Sequence, residues 1–412
     1  MSTTATTDDS LVGTPDSKAD LPGVRLASLD AYRGFVMFLM MAEVLRLPQV
    51  AAAFPQSAFW QFLKFHNSHV EWVGGSLHDL IQPSFSFLVG VSLPFAIANR
   101  VGKGQSFAFM FGHAVWRALL LIWLGIFLRS IAKPQTNWTF DDTLTQIGMG
   151  YVFLFLIAFR PVRVQWVALA VILAGYWALF ALSPLPGAGF DYDRVGVPAE
   201  WRETHLLSGY AAHWNKNSNF ASAVDEQFLN FFPRVKPFVF SGGGYTTLSF
   251  VPTLGTMILG LVAGGWLRHK RIAGEKLRWL AGAGVAALAL GGLLHWTGLC
   301  PVVKRIWTPA WTFYSGGWCF LLLAAFYAMI DVRGYRRWAF PFVVIGMNSI
   351  AIYCLVWVGE AFIIGSLKTH LSPGVINLFG PTFEPVLLGA AVMVIFWLIL
   401  YWMYRRRLFL KV

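Results

Sequence analysis

The chain has 412 residues, of which 57% are hydrophobic and only 13% are charged, and its mean hydropathy is +0.58. Soluble domains carry about 25% charged residues, so this composition excludes an ordinary soluble protein and predicts an integral membrane protein. The net charge of +12 comes from short basic clusters between apolar runs, a pattern that indicates membrane topology rather than nucleic-acid binding.

The first 24 residues are rich in Ser, Thr and Asp and almost free of aliphatic residues, which predicts a disordered cytoplasmic tail. They contain no early apolar segment of the kind that a cleaved signal peptide has. Residues 25–412 would then form one transmembrane domain. The three cysteines form no CxxC motif and no cluster with histidine, so the sequence predicts neither a disulfide framework nor a metal site.

Ten apolar runs have roughly the length that crosses about 30 Å of hydrocarbon. We expect all of them to be helical, because lipid cannot satisfy free backbone groups. The runs are 31–47, 78–98, 114–132, 144–159, 164–183, 248–267, 279–297, 312–330, 340–358 and 385–404. The sequence therefore predicts an all-α, polytopic helical bundle of about ten transmembrane helices, with both termini on one side.

The distribution of Lys and Arg predicts which side that is. Segments on the side of the termini carry 19 of the 32 basic residues, mostly in short loops, and the opposite side carries 12. Cytoplasmic loops are enriched in Lys and Arg, so both termini are predicted to be cytoplasmic. The longest connection, 184–247, would lie outside, and its aromatic residues favour an ordered cap.

The strongest candidates for chemistry lie just before the second run, where His66, His69, Glu71, His78 and Asp79 occur together. Ionisable groups at a membrane boundary are costly unless they are solvated, paired or used. A lone loop histidine is more often a solvated surface residue, but His69 has a carboxylate ten residues downstream. An imidazole can remove a proton near neutral pH, and Asp79 would fix its tautomer and raise its basicity. His78, next to Asp79, is expected to point elsewhere.

Two further pairs are candidates for binding a ligand. Asp30 and Arg33 stand at the start of the first run, where Asp30 either caps the helix or pairs with Arg33 to receive an anionic ligand. Asn348 and Ser349 lie inside the ninth run, where unpaired polar groups cost free energy. They either form hydrogen bonds between helices or contact a polar ligand in the bundle.

Four ordered motifs resemble the transmembrane heparan-α-glucosaminide N-acetyltransferase family and its bacterial relatives. The resemblance covers roughly residues 25–360. The motifs are Arg25-Leu26-x-Ser28-Leu29-Asp30-x-Tyr32-Arg33-Gly34; His69-x-x-Trp72-x-Gly74 with Asp79-Leu80, Pro83, Phe85, Phe87 and Gly90; Val251-Pro252-Thr253-Leu254-Gly255-Thr256 with Gly260 and Gly264; and Asp331-Val332-x-Gly334 followed by Gly346-Met347-Asn348-Ser349-Ile350. Gln82 and Ser84 stand where the better-known members have aromatic residues.

The resemblance implies an acyltransferase that takes acetyl-CoA as co-substrate from the cytoplasm and passes the acetyl group to an amino sugar or glycan outside. By the same resemblance, His69 matches the active-site histidine, Asp79 the acidic residue beside it, and Asn348 the polar residue of the last motif. A bacterial inner membrane is the simplest location that it implies. His69 would either deprotonate the acceptor or carry the acetyl group covalently, and no metal is implied.

Two alternatives remain at this stage. An O-acetyltransferase of the acyltransferase-3 type would use the same co-substrate on a hydroxyl, and a secondary transporter would also fit ten spans. The absence of a visible internal repeat counts against a transporter. The expected partners are membrane lipid and a small-molecule or glycan acceptor, but no nucleic acid, and a homodimer is an open alternative to a monomer.

Overall fold

The computed structural model of the protein describes residues 26–410, and they are predominantly helical. The predicted tail, residues 1–24, lies outside this range. The predicted all-α class is confirmed, and the one strand-like pairing within residues 26–410 is an isolated antiparallel bridge between Val73 and Val303. The α-helices are α1 (Ala27–Met41), α2 (Leu47–Ala52), α3 (Ala58–His66), α4 (Ile81–Val101), α5 (Phe107–Ser130), α6 (Thr143–Ala158), α7 (Val162–Ala181), α8 (Ala199–His205), α9 (Phe220–Phe228), α10 (Phe250–Arg268), α11 (Ala273–Trp296), α12 (Pro309–Phe326), α13 (Phe340–Gly346), α14 (Ser349–His370), α15 (Pro373–Ile376) and α16 (Glu384–Arg405).

Eight helical segments in the described part of the chain are long and apolar enough to cross a membrane. They are His78–Val101, Phe107–Ser130, Val162–Ala181, Thr247–Arg268, Ala273–Trp296, Pro309–Val332, Ser349–His370 and Pro381–Arg405. The two remaining apolar runs form shorter helices. These are α1, which has 15 residues and continues into a 3-10 turn, and α6, which has 16.

The ninth apolar run was predicted as one continuous span, but the structure divides it into two helices. The prediction was a single span over 340–358, whereas α13 ends at Gly346 and α14 runs from Ser349 to His370. Asn348 lies between them with φ −128° and ψ 40°, outside the helical region. Hydropathy cannot reveal this break, because apolar residues continue on both sides of it.

The helices α4 and α10 form the centre of the bundle, and most residues of both are buried. A Cβ atom on Gly90 of α4 would overlap the carbonyl oxygen of Met257, and one on Gly260 of α10 would overlap that of Phe87. The two backbones are therefore in direct contact. Small residues allow this approach in membrane proteins, where van der Waals packing drives helix association.

The same kind of contact joins α1 to α13. A Cβ atom on Gly34 would overlap the carbonyl oxygen of Phe342, and one on Gly346 would overlap that of Asp30. This contact places the start of α1 beside the end of α13, and hence beside Asn348.

One end of the bundle is covered by loops, and we call it the capped end. It is formed by residues 46–77, by the long connection 182–249 and by residues 297–308. Four tryptophans that are at most 1% exposed form the core beneath the loops: Trp72, Trp214, Trp307 and Trp311. Hydrogen bonds then tie the loops to the helices, for example from the Tyr176 hydroxyl to the Ile306 carbonyl at 2.9 Å.

Candidate active site at the capped end

A buried carboxylate, that of Asp79, organises the loop that precedes α4. Its side chain is 1% exposed. Its Oδ2 atom accepts hydrogen bonds from the backbone N–H groups of Val70, at 3.2 Å, and Ser76, at 3.0 Å. Because these two donors belong to different parts of the same loop, the loop folds around the carboxylate. Asp79 thus has a structural role in addition to its contact with His69.

His69 and Asp79 come together as the sequence predicted. The Nδ1 atom of His69 lies 2.8 Å from Asp79 Oδ1. A third residue joins them, since the Nζ atom of Lys304 is 3.1 Å from the same carboxylate oxygen and 3.0 Å from His69 Nδ1. Lys304 is only 5% exposed, whereas His69 is 39% exposed. The site is therefore a buried ion pair beneath an imidazole that faces solvent.

The shared carboxylate selects the tautomer of His69. Nδ1 can donate to Asp79 or accept from Lys304, but a neutral ring cannot do both with that nitrogen. Donation to the ionised carboxylate is the stronger bond, and the Lys304 ammonium can donate to the same oxygen instead. Nδ1 therefore carries the proton and Nε2 has the free lone pair. Within residues 26–410 nothing forms a hydrogen bond to Nε2.

The surroundings of His69 keep its ring neutral. Burial lowers the pKa of His69, the hydrogen bond to Asp79 raises it, and the charge of Lys304 lowers it again, with a net result below the usual value. A neutral imidazole is the form that can accept a proton or attack a carbonyl group. The arrangement is therefore suited to a base or nucleophile at neutral pH.

His78 lies against the site, so the expectation that it points elsewhere was wrong. Its ring centroid is 4.5 Å from that of His69, and its Nε2 atom is 3.2 Å from Glu43 Oε1. The 3-10 turn His78–Leu80 explains the difference, because it redirects the side chain before α4 begins. His66 has another role, accepting a hydrogen bond from the backbone N–H of Leu77 at 3.2 Å.

Residues of the predicted histidine motif hold this loop in place. The Trp72 indole donates to the Trp214 carbonyl at 3.0 Å, which ties the loop to the long connection. The backbone N–H of Gly74 donates to the Val302 carbonyl at 2.9 Å. Gly74 has φ +107°, a conformation that L residues rarely adopt, so glycine is required there. These contacts bring the segment that carries Lys304 up to His69.

The other predicted ligand residues lie at the opposite end of the bundle. Arg33 Nη1 is 3.5 Å from Asp30 Oδ1, and Arg33 Nη2 donates to the Ser92 hydroxyl at 2.9 Å. Asp30 and Arg33 therefore pair, which is one of the two alternatives that the sequence left open for Asp30. Glu43 follows Asp30 by thirteen positions along α1 and its 3-10 turn, which corresponds to about 20 Å along the helix axis.

Asn348 is fully buried, and both ends of its amide are bound within the chain. Its Nδ2 atom donates to the Leu408 carbonyl, and its Oδ1 atom accepts from the Leu410 backbone N–H, both at 3.1 Å. It therefore holds the C-terminal segment at the break between α13 and α14. Ser349 is the first residue of α14 and is partly exposed. A ligand contact of either residue stays a prediction.

Gln82 and Ser84 form polar contacts. They stand at positions where the family that the sequence resembles has aromatic residues. Gln82 Nε2 donates to Gln146 Oε1 at 3.1 Å. The Ser84 hydroxyl accepts from the Tyr32 hydroxyl at 2.9 Å and lies 3.6 Å from Cys319 Sγ. Polar groups thus extend from Asp79 into the bundle.

Lys304 and Glu43 were not predicted from the sequence. Lys304 is separated from His69 by 235 positions, and no local pattern connects the two. The one available signal was a basic residue, followed by Arg305, in a short loop of mostly apolar residues. Within residues 26–410, no group of three His, Cys, Asp or Glu residues is placed to hold a metal ion.

Comparison with known proteins identifies two similar chains. The human heparan-alpha-glucosaminide N-acetyltransferase is 25% identical over 365 residues, which cover 80% of this chain and 52% of the human protein. The mouse protein of the same name is 22% identical over 365 residues, covering 80% and 53%. The chain thus spans about half the length of the curated relatives it matches. No protein-family model matches it.

Proposed function

We propose, from the premise that the chain is related to the heparan-α-glucosaminide N-acetyltransferases, that it is a transmembrane N-acetyltransferase acting on an amino sugar. The observation that carries this proposal is the site at the capped end. There, a solvent-facing imidazole is fixed by a buried Asp79–Lys304 ion pair and presents a free Nε2 atom. This arrangement is one that acyl transfer requires.

Each end of the bundle would bind a different substrate, with the acceptor at the capped end and the nucleotide of acetyl-CoA at the opposite end. Acetyl-CoA is anionic and does not cross a membrane, whereas its thioester is carried on a long flexible arm. The end opposite the cap has the greater number of basic residues, which would attract the nucleotide part. Asp30, Arg33, Asn348 and Ser349 are the residues of that end that we propose to contact it.

His69 would carry out the chemistry by one of two routes. As a base, Nε2 removes a proton from the sugar amine while the amine attacks the thioester carbonyl, and the carbon–sulfur bond breaks to release the thiol. As a nucleophile, Nε2 attacks the carbonyl itself and the carbon–sulfur bond breaks to release the thiolate. The sugar amine then attacks the acetyl-imidazole, the carbon–nitrogen bond to Nε2 breaks, and the proton of the amine goes to the released imidazole. In both routes Asp79 stabilises the positive charge that develops on the ring.

Sidedness is the first prediction, and it rests on the uneven distribution of basic residues. A cysteine introduced at Ala188, in the long connection, should react with an impermeant thiol reagent added from outside, because this loop belongs to the less basic end. A cysteine introduced at Lys103, in the loop between α4 and α5, should not react. Both changes are made in a background lacking Cys300, Cys319 and Cys354, and the reverse labelling pattern would contradict the topology.

The second prediction concerns Arg33. If its guanidinium attracts the anionic part of acetyl-CoA, Arg33→Ala should raise the apparent KM for acetyl-CoA about tenfold, as the loss of one charged hydrogen bond implies, and leave that for the sugar nearly unchanged. Lys103→Ala, at an exposed position of the same end, is the matched control. If the KM for acetyl-CoA is unchanged in folded Arg33→Ala protein, Arg33 does not bind the nucleotide and serves only to pair with Asp30.

Transfer of labelled acetyl groups tests the function as a whole. Purified protein in vesicles would receive labelled acetyl-CoA and a set of acceptors that includes glucosamine, glucosaminides and cell-wall sugars. An alkali-stable labelled amide is the expected product. An alkali-labile ester would indicate O-acetylation, and transport of the sugar without label transfer would indicate a transporter.

The location is part of the proposal. The described helices make the chain an integral membrane protein, and we propose a bacterial inner membrane. There the acetyl-CoA pool and the more basic loops share the cytoplasmic side. Membrane fractionation of the source cells tests this part.

A further inference from the structure

A second imidazole lies against His69, and it has a carboxylate of its own. The ring centroid of His78 is 4.5 Å from that of His69, with 49° between the ring planes. Its Nε2 atom is 3.2 Å from Oε1 of Glu43, in the 3-10 turn that continues α1. The candidate active site therefore contains two histidine–carboxylate pairs, and both routes of acetyl transfer use only His69 with Asp79. We call His78 and Glu43 the second pair.

The carboxylate of Glu43 determines which nitrogen of His78 is free. Nε2 is the nitrogen that faces the carboxylate, and a carboxylate can only accept, so Nε2 carries the proton of the neutral ring. Nδ1 then has the free lone pair. Within residues 26–410 no group forms a hydrogen bond to this Nδ1 atom. His78 can therefore accept a proton beside His69.

The charges of the site leave the second pair negative. Asp79 has the Lys304 ammonium as its cation, at 3.1 Å. Glu43 has no Lys or Arg at ion-pair distance in the part of the chain that the structure describes. Its side chain is half-exposed, whereas His78 is 5% exposed. When both rings are neutral, the site carries a net negative charge at Glu43, which attracts a cation from solvent.

The charged groups of the neighbouring elements are either paired or distant. The turns that carry the second pair pack against α1, α4, α12 and α16. The helix α12 contains no Asp, Glu, Lys, Arg or His, and α1 and α4 carry their charged residues at the opposite end. Arg46 pairs with Glu360 at 2.6 Å, and Glu384 of α16 pairs with Lys368 at 2.8 Å. The titratable groups that remain near His78 belong to the site and its loop: His66, His69, Asp79 and Lys304.

Amide formation from an ammonium ion leaves one proton over. The acceptor nitrogen carries three protons as an ammonium ion, the amide product keeps one, and the thiol of the donor takes one. His69 handles the proton that moves from the attacking amine to the thiol. The remaining proton has to leave before the nitrogen has the lone pair with which it attacks. A hydroxyl acceptor has a single proton, which goes to the thiol, so a second base is useful only for an amine.

We propose that His78 and Glu43 form a second base, which removes this extra proton from the ammonium form of the acceptor. This inference rests on the proposed function. Nδ1 of His78 accepts the proton, and the Glu43 carboxylate stabilises the resulting imidazolium. The proton passes from Nδ1 to water at the capped end when the amide leaves. One nitrogen can contact two hydrogen-bond acceptors about 6 Å apart, so rings with centroids 4.5 Å apart can serve the same amine.

Contact between the two rings separates their tasks. Two imidazolium ions in contact repel each other, so one proton at a time resides on the two rings. Glu43 has no competing cation, whereas Asp79 shares its charge with Lys304. The proton therefore stays on His78. His69 remains neutral, which is the form that a base or nucleophile requires.

The pH dependence of kcat/KM for the acceptor tests the proposal. A sugar amine, like an α-amino group, titrates near pH ~8, so at about pH 7 only about a tenth of the acceptor arrives neutral. A variant without the second base can use only that fraction. His78→Gln should therefore lose about tenfold at about pH 7 and match the wild type at about pH 9, where the acceptor is mostly neutral.

Glu43→Gln should show the same pH pattern with a smaller loss, because the ring remains but its imidazolium is no longer stabilised. Its position is half-exposed, so its thermal unfolding midpoint should stay close to that of the wild type. Glu203→Gln is the matched control, since it removes one negative charge from an exposed position of the capped end. The pH profile of this control should equal that of the wild type.

A second acceptor separates the proton from other effects of the substitutions. The aminooxy analogue of glucosamine has a weakly basic nitrogen that is neutral at pH 7. Wild type, H78Q and E43Q should acetylate it at equal rates at this pH, although the two variants are impaired with glucosamine. His69→Ala should be impaired with both acceptors at both pH values.

Two results would overturn the second base. The first is a loss in H78Q and E43Q that is equal at both pH values and with both acceptors, since this indicates a structural role. The second is wild-type activity of both variants throughout the pH range, which leaves His69 as the base for both protons. The proposed function is judged separately, because it fails only if the wild type itself transfers no acetyl group to an amine.

Discussion

Replacing His69 by alanine is expected to lower the rate of acetyl transfer by about 10²–10⁴-fold, the usual loss when a general base is removed. The loss would be larger if His69 carries the acetyl group. Acetyl-CoA should still bind, because the proposed nucleotide contacts lie about 20 Å away along α1. Turnover and acetyl-CoA affinity of purified variants measure the two effects independently.

Three other substitutions serve as comparisons for His69→Ala. Asp79→Asn should reduce turnover less, since the ring remains but loses its charged acceptor. His66→Ala should be much less damaging, because the His66 ring accepts a hydrogen bond from the Leu77 backbone N–H and packs against Phe62 and Phe65. His295→Ala, an exposed imidazole at the capped end, should have no effect. Near-normal turnover of His69→Ala would show that the chemistry occurs elsewhere.

Lys304→Met is expected to have the second-largest effect. Removing one partner of a buried ion pair costs about 3–5 kcal/mol, because Asp79 would keep its charge without the ammonium. We also expect the pH profile to change. Activity requires neutral His69 and therefore falls as the pH decreases through the pKa of this residue. Because Lys304 lowers that pKa, its removal should shift the acid limb of the profile to higher pH.

A control and a double variant separate the two consequences of Lys304→Met. Lys368→Met breaks an exposed pair with Glu384 at the capped end, and such pairs contribute only about 0–1 kcal/mol. Adding Asp79→Asn to Lys304→Met removes the unpaired charge, so stability should recover while turnover does not. An acid limb that stays in place in Lys304→Met would contradict an electrostatic role for this lysine.

The sequence predicted those parts of the molecule that depend on local pattern. Apolar runs identify the helices, because lipid demands both their length and their composition. His69 and Asp79 were found as a pair since only ten positions separate them and both precede the same helix. Lys304 could not be found in this way, because the fold alone brings its loop to His69.

The break at Asn348 illustrates a second limit of sequence reasoning. A polar residue in an apolar run can bind a ligand, join two helices or end one of them. The amino-acid composition of the run is the same in each case, so it does not distinguish these roles. The structure shows that Asn348 lies between α13 and α14 and holds residues 408 and 410. Its predicted contact with acetyl-CoA would require those two hydrogen bonds to be exchanged.

The glycine contacts described for α4 with α10, and for α1 with α13, have a consequence for how substrates reach each other. Helices whose backbones touch cannot slide or separate without losing contact along their whole length, so each pair moves as one body. A passage that opens between the two pairs would leave both backbone contacts intact. At that seam Tyr32 of α1 meets Ser84 of α4, and Cys319 of α12 lies beside them, all three of them buried. A passage along this seam would separate these buried polar contacts, so each group would need a new polar partner in the passage.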